Sequence, residues 1–414
     1  MSSLRRLHLP SKAMRSFQLQ PLLDANAAQY MESLLQAVRS PDTALHELRI
    51  SLQGFGQGQC CDFFGAVAEN RRLEMVSLYS VPDAVGVEEF CGTIRSFALS
   101  GRVTILNHVV DMGSVSTLQR CPEIAGVTVR MFPPIMGDVL EPVAMVFDEL
   151  RCCDHVTSVR VRCQKYFGFH AVCSLVVYIK DASFLTDVEV RLDRSETDFS
   201  GEERQTIEAH LALACNTILV RVSIEKSIVS LDDVDLLLSG ARMNRNLTRF
   251  GMTRGDFSSS VYSDWWLNGL CPLTNVGSSR RLTFAHIQEC ITRNTVMVRA
   301  AARFALGNVD GVKGARAIEL MHNHPDVRAM VQEQAACRRS VARNMIEEAL
   351  RRVQRCSLGD FMKFAGVVHA DVKCLRDQPG TGTRLFDLNE YCLLHIRSFL
   401  KISDVVDVSS QDMS

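Results

Sequence analysis

Fifteen cysteines and eleven histidines supply this chain with the side chains from which thiol nucleophiles and metal sites are made. Cys60-Cys61 and Cys152-Cys153 are vicinal pairs, His286 and Cys290 stand four apart on a predicted helix, and His322-Asn323-His324 falls at a predicted helix end. A metal site needs about four ligands in a fixed geometry, and neither place carries a C-x-x-C or H-E-x-x-H pattern. No cysteine has a nearby motif that supplies a base, so none reads as a nucleophile. Gly307-x-x-x-Gly311-x-Lys313 comes nearest to a phosphate loop. It lacks the spacing and the closing Gly-Lys-Ser/Thr, and it follows a helix instead of a strand, so it reads as a turn between helices. Arg338, Arg339, Arg343, Arg351, Arg352 and Arg355 share their helix with Glu347 and Glu348 and read as a solvated face. The expectation is no catalytic residue, no metal and no cofactor.

Charge narrows the classes further. Lys and Arg total 46 against 47 Asp and Glu, a net charge of −1, whereas binding nucleic acid through bulk charge needs a clear basic excess. The segment Met1 to Gln20 lacks the apolar core of a signal peptide, and no long uncharged apolar stretch follows. The cysteines have no disulfide-framework spacing and read as small core hydrophobes. These features predict a soluble, cytoplasmic protein in a reducing compartment, with no nucleic-acid or membrane partner.

If the chain binds instead of reacting, the question becomes which elements present a surface. Self-similarity answers it. An apolar-x-x-apolar-x-apolar triplet recurs as Leu45/Leu48/Ile50, Leu73/Val76/Leu78, Ile124/Val127/Val129, Val156/Val159/Val161, Leu185/Val188/Val190, Leu219/Val222/Ile224 and Leu247/Phe250/Met252. A poorer copy begins at Val103/Leu106 and puts His108 where the third apolar residue belongs. The starts lie at 45, 73, 103, 124, 156, 185, 219 and 247. Between them run stretches of helical spacing, such as Asp62 to Arg72 and Glu203 to Ala214, often closing on Asn: Asn70, Asn216 and Asn246. One strand and one helix per unit cannot bury themselves, because the helix covers only one face of the strand. Units stacked side by side can, as a curved parallel sheet with helices outside.

This pattern resembles the ribonuclease-inhibitor-like leucine-rich repeats, including those of NOD-like receptors, over roughly Leu45 to Thr253. The copies depart from that family in using Val or Ile for many Leu and in lacking the Asn that usually follows the triplet by three. The resemblance implies an α/β leucine-rich-repeat solenoid whose concave face carries the residues alternating with the triplet. Those include Arg49, Tyr79, Arg130, Arg160, Arg162, Asp187, Glu189, Arg191, Arg221 and Arg249, with Ser51, Ser77, Thr128 and Ser223 between them. Seven arginines against four acidic residues, Glu47, Asp187, Glu189 and Glu225, make this face locally basic.

The predicted organisation is an N-terminal cap over 1–44, the solenoid over 45–294, a helical domain over 295–376, and a linker with a C-terminal amphipathic helix over 377–414. The stretch around Trp265-Trp266 breaks the repeat and Gly277-Ser278-Ser279 reads as loop; Ile287 to Asn294, followed by Val296 and Val298, leaves room for a last unit. Val298 to Leu306, Val312 to His322, Val327 to Cys356 and Phe361 to Leu375 then read as helices.

The final helix, Leu388 to Ile402, carries Leu388, Cys392, Ile396, Phe399 and Leu400 on one face behind a Pro379-Gly380 linker. It resembles the opening of an F-box, with Asn389 in place of Pro, and equally the adaptor-binding box of elongin-linked ligases through Leu388, Cys392 and Ile396. Either resemblance implies docking on a cullin-ligase adaptor; a last helix packing its stripe onto the helical domain is the plain alternative. The expected function is non-catalytic recognition of a protein partner, acidic where it meets the basic face. A substrate receptor of a ubiquitin ligase and an enzyme with an unrecognised site are the alternatives.

Overall fold

A computed structural model describes residues 16–19, 27–40, 45–82, 85–110, 115–131, 141–164, 169–193, 216–225, 239–253, 278–308, 311–367, 389–402 and 405. The fold is mixed α/β with two parallel sheets. The chain divides into two compact units, 1–291 and 292–414.

Described elements are numbered in chain order. The first unit holds β1 (Ser16–Leu19), α1 (Ala27–Arg39), β2 (Glu47–Ile50), α2 (Gln57–Glu69), β3 (Met75–Leu78), α3 (Val87–Ser96), β4 (Val103–Ile105) and β5 (His108–Val110). It continues with α4 (Val115–Leu118), β6 (Gly126–Met131), α5 (Glu141–Leu150), β7 (Ser158–Gln164), α6 (Phe169–Asp181), β8 (Asp187–Asp193), β9 (Arg221–Glu225) and β10 (Arg249–Thr253). One sheet has the order β1-β2-β3-β4 and the other β5 through β10, each strand beside the next in sequence.

Residues two apart on a strand share a face, and the second and third triplet positions use this. Leu48 stands opposite Val76 and Val76 opposite Val103; in the other sheet Val127, Val159, Val188 and Val222 follow in register. The first three of those valines are buried and Val222 is partly buried. The first triplet residue precedes the strand and is buried too, as at Leu73, Ile124 and Leu185. Trimming Val159 to Ala should lower unfolding stability by about 2 kcal/mol through lost burial and the void left behind. Urea denaturation checks this, and an unchanged midpoint would mean the side chain is not packed.

The third repeat is corrected in register. Val103 and Ile105, not Val103 and Leu106, occupy the strand positions of Val76 and Leu78. No helix follows β4; two residues later β5 begins, and His108 lies opposite Val127 with Val110 opposite Val129. The run Val103, Ile105, Leu106, His108, Val110 contains overlapping alternations, so the local pattern did not choose among them. The helix after Leu45/Leu48/Ile50 starts at Gln57 instead of Asp62.

The asparagine signal is also corrected. Asn70, Asn216 and Asn244, not Asn246, stand three residues before Leu73, Leu219 and Leu247 and bind backbone on both sides. Asn70 donates to the Val38 carbonyl (2.6 Å) and accepts from the Arg72 N–H (2.9 Å), tying the end of α2 to the end of α1.

The helix α7 (Ser278–Ala305) is one continuous element of 28 residues. This overturns the loop at Ser278-Ser279 and the last repeat at Val296 and Val298, since Val296 is exposed within the helix. No Gly or Pro occurs between Ser278 and Leu306, so nothing breaks it.

The second unit continues with α8 (Gly311–Met321), α9 (Pro325–Gln334), α10 (Arg339–Gln354), α11 (Leu358–Phe364) and α12 (Glu390–Phe399). Val327 to Cys356 is therefore two helices. The break is at Ala336, whose φ of 52° puts it in the left-handed region and turns the Cys337 N–H back to the Gln332 carbonyl (3.2 Å). Gly307 (φ 87°) closes α7 in the same way, as expected of a turn. Small residues let these helices approach: Ala301, Ala302, Ala315 and Ala317 are buried with Phe304, Ile318, Val331, Ile346, Val353 and Phe361.

Asn389 caps α12 by accepting the Cys392 N–H at 2.9 Å, so the helix begins later than expected. Glu203 to Ala214, Trp265-Trp266, the linker Asp377 to Thr383 and Leu388 lie outside the described residues.

Candidate functional site

On β6 to β10 the residues that alternate with the inward-facing apolar ones form three rows across the strands, set by register. The first runs Gly126, Ser158, Asp187, Arg221, Arg249; the second Thr128, Arg160, Glu189, Ser223; the third Arg130, Arg162, Arg191, Glu225. The rows differ in how their charge is used. Arg221 pairs with Asp187 in the first, and in the second Arg160 pairs with Glu189 at 3.1 Å. In the third, Arg130 and Arg162 are opposite one another and exposed, and among the described residues neither has an ion-pair partner. The side chain of Arg191 lies outside the described residues, although its backbone is in register with Arg162.

Arg49 is exposed on β2 and Tyr79, just past β3, is half-buried; both belong to the other sheet, so the expected face is divided between two sheets. Arg249 is exposed on β10. The small polar residues are a correction: Ser51, Ser77, Thr128 and Ser223 are buried instead of open. Their neighbours in register are longer, Arg49 beside Ser77, Arg160 beside Thr128 and Glu189 beside Ser223. Ser51 Oγ also bonds Ser80 Oγ at 2.6 Å, and Thr128 Oγ1 donates to Asn107 Oδ1.

Burial keeps the thiols of Cys60, Cys91 and Cys153 protonated. Cys60 is pushed up to about 11 by burial and then by Cys61, and Cys153 to about 11 by burial and then by Cys152. Cys91 is raised further by burial and by Cys121 beside it. A nucleophilic cysteine needs the opposite shift. Among the described residues no group of three or more His, Cys, Asp or Glu stands where it could hold a metal ion, and none of the described helices is long and apolar enough to cross a membrane. His324 accepts the Asp326 N–H at 3.1 Å and so caps α9.

The other candidate surface is α12. Arg397 is its anchor: buried, with the guanidinium 4.3 Å from the Phe361 ring centre, it donates to the carbonyls of Leu400 (2.6 Å) and Val353. Just beyond, Ile402 is buried in the helical core. Cys392, Phe399 and Leu400 are exposed and Ile396 is partly buried. Tyr391, 83% exposed and not among the expected site residues, joins His395 and Phe399 on one stripe; the last two rings meet edge-on at 5.0 Å. The four-residue spacing of 391, 395 and 399 was the available signal. The Arg-rich helix α10 pairs Arg343 with Glu347 and Arg351 with Glu348, each at 2.8 Å.

No family model, curated protein or solved structure matches this chain.

Proposed function

We propose that this protein is a non-catalytic recognition scaffold of the leucine-rich-repeat kind, holding a protein partner on the strand face that carries Arg130, Arg160, Arg162, Asp187, Glu189 and Arg221. One observation carries the reading. Parallel sheets nearly always have both faces covered and read as continuous apolar runs, yet β7 and β8 alternate buried valine with Arg160, Arg162, Asp187 and Glu189, and Arg130 on β6 and Arg162 on β7 are exposed. A parallel sheet with one wet, charged face is the arrangement a stacked-repeat protein uses for binding.

A photo-crosslinking residue placed at Arg162 should trap a protein in cells, whereas the same residue at Val177 on the exposed side of α6 should not. Equal trapping at both positions, or trapping only at Val177, would defeat the reading.

The exposed stripe of α12 favours a second reading, in which the protein is a substrate receptor and this helix docks on a cullin-ligase adaptor. Changing Tyr391 and Phe399 to Asp should then abolish adaptor capture with a melting temperature almost unchanged, because both side chains are already in water. If wild-type protein captures no adaptor, the receptor reading falls.

A further inference from the structure

We infer that the segment recognised on the strand face is an acidic, extended peptide lying across β6, β7 and β8 along the third row, Arg130, Arg162 and Arg191. The inference rests on the reading of that face as the recognition surface, and it adds the chemistry and direction of what is bound.

Register brings three arginines side by side on consecutive strands, and Glu225 on β9 ends the row. Adjacent strands are about 4.8 Å apart, so the row concentrates positive charge in a short line. Like charges directly opposite each other destabilise a sheet. The first two rows offset this with ion pairs, Asp187 with Arg221 and Arg160 with Glu189, although Arg221 also stands opposite Arg249. The third does not: Arg130 and Arg162 face solvent without an ion-pair partner among the described residues. Within one face, two rows contain ion pairs, and in the third Arg130 and Arg162 have none among the described residues, which is the charge distribution of a line complementary to a bound anion.

The shape of the cationic region selects the class of anion. Acidic side chains two apart on an extended peptide are about 7 Å from each other, a spacing that arginines on neighbouring strands can bridge with their forked guanidinium groups. A nucleic-acid backbone would have to pass Asp187 and Glu189 on the same face, and the chain as a whole carries −1, without the basic excess such binding uses. The anionic groups are carboxylates or phosphates on the peptide, and the two sources are separable by experiment.

Fluorescence anisotropy on the full chain tests this with three labelled probes: a twelve-residue peptide alternating Glu with Ser, the same peptide with phosphoserine for Glu, and a twelve-nucleotide single-stranded thymidine oligomer. At low salt one or both peptides should bind, the tighter identifying the natural group. The double variant R130E/R162E should weaken that binding by about tenfold or more, with the difference shrinking as salt rises. The variant R71E/R303E, which makes the same change in net charge at exposed positions off the face, should leave it nearly intact.

No peptide binding by the wild-type chain, or equal weakening by both double variants, would overturn the inference. Tighter binding of the oligonucleotide, lost in R130E/R162E, would overturn it in favour of nucleic acid. Trapping at Arg162 without acidic-peptide binding leaves the scaffold reading standing and removes only the acidic ligand. Without trapping there, both fall.

Discussion

Replacing Gly126 by Ala should destabilise the first unit by about 3 kcal/mol, the upper range for forcing volume into a packed site. Gly126 opens β6, and a Cβ built on it would run into the Leu106 carbonyl oxygen, with the carbonyl carbon at 2.7 Å and Cα at 3.0 Å. All three atoms are backbone, so no side chain can swing aside. Neither can the segment move freely. The Leu106 N–H donates to the Leu78 carbonyl (2.7 Å), and next to it Ile105 exchanges hydrogen bonds with the Glu123 carbonyl (2.7 Å) and the Ala125 N–H (2.9 Å). A methyl group here must prise apart the point where β4 passes into β5.

Gly92 is the control, because it lies within α3 with nothing within 4 Å of its Cβ position. Gly92→Ala should stabilise by up to about 1 kcal/mol, since Ala is the better helix former. Urea unfolding of the two variants should therefore move in opposite directions. A Gly126→Ala protein as stable as wild type would mean that the junction yields easily and does not hold the register of β5 against β6.

Asn244→Ala should cost about 3 kcal/mol, because it removes four hydrogen bonds to backbone groups, three of them buried, at once. Asn244 is buried, and its amide donates to the carbonyls of Asn216 (2.9 Å) and Leu219 (3.0 Å). Its oxygen accepts the N–H groups of Asn246 (2.7 Å) and Leu247 (2.9 Å). Alanine leaves two carbonyls and two N–H groups of consecutive repeats without these bonds. Asn216 repeats the arrangement one repeat earlier, with donation to Ile179 (2.9 Å) and Ala182 (2.5 Å) and acceptance from Ile218 (2.8 Å). Since Asn244 holds the carbonyl of Asn216, the double variant should lose less or more than the sum of the two singles, by at least about 0.5 kcal/mol. Asn244→Asp keeps the acceptor but sets a carboxylate against two carbonyl oxygens, so it should not rescue. Thermal melts of the two single alanine variants, the double variant and Asn244→Asp decide this, and a single alanine variant within about 0.5 kcal/mol of wild type would show the bonds to be replaceable by water.

What the sequence determined by itself is which residues share a face. Apolar residues two apart fix one side of a strand whatever its neighbours, so the valines of β6, β7 and β8 and the arginines between them could be assigned to opposite faces from spacing alone. The fixed spacing Asn-x-x-Leu before Leu73, Leu219 and Leu247 was present in the sequence as well, although Asn246, nearer the triplet, obscured Asn244. Tertiary structure decided which of several equivalent alternations would pair. Between Val103 and Val110 more than one alternation satisfies the strand pattern, and the hydrogen bonds of Leu78 and Glu123 to that segment select β4 and β5. It also decided that Arg160 and Arg221 are paired while Arg130 and Arg162 are not, because ion pairing depends on the residue one strand away, about thirty positions along the chain. The break at Ala336 belongs to the same class: no Gly or Pro announces it, and backbone bonds to Gln332 and Glu333 hold the left-handed turn. Periodicity is a local property and fixes the face; register and charge pairing are long-range, and packing chooses them.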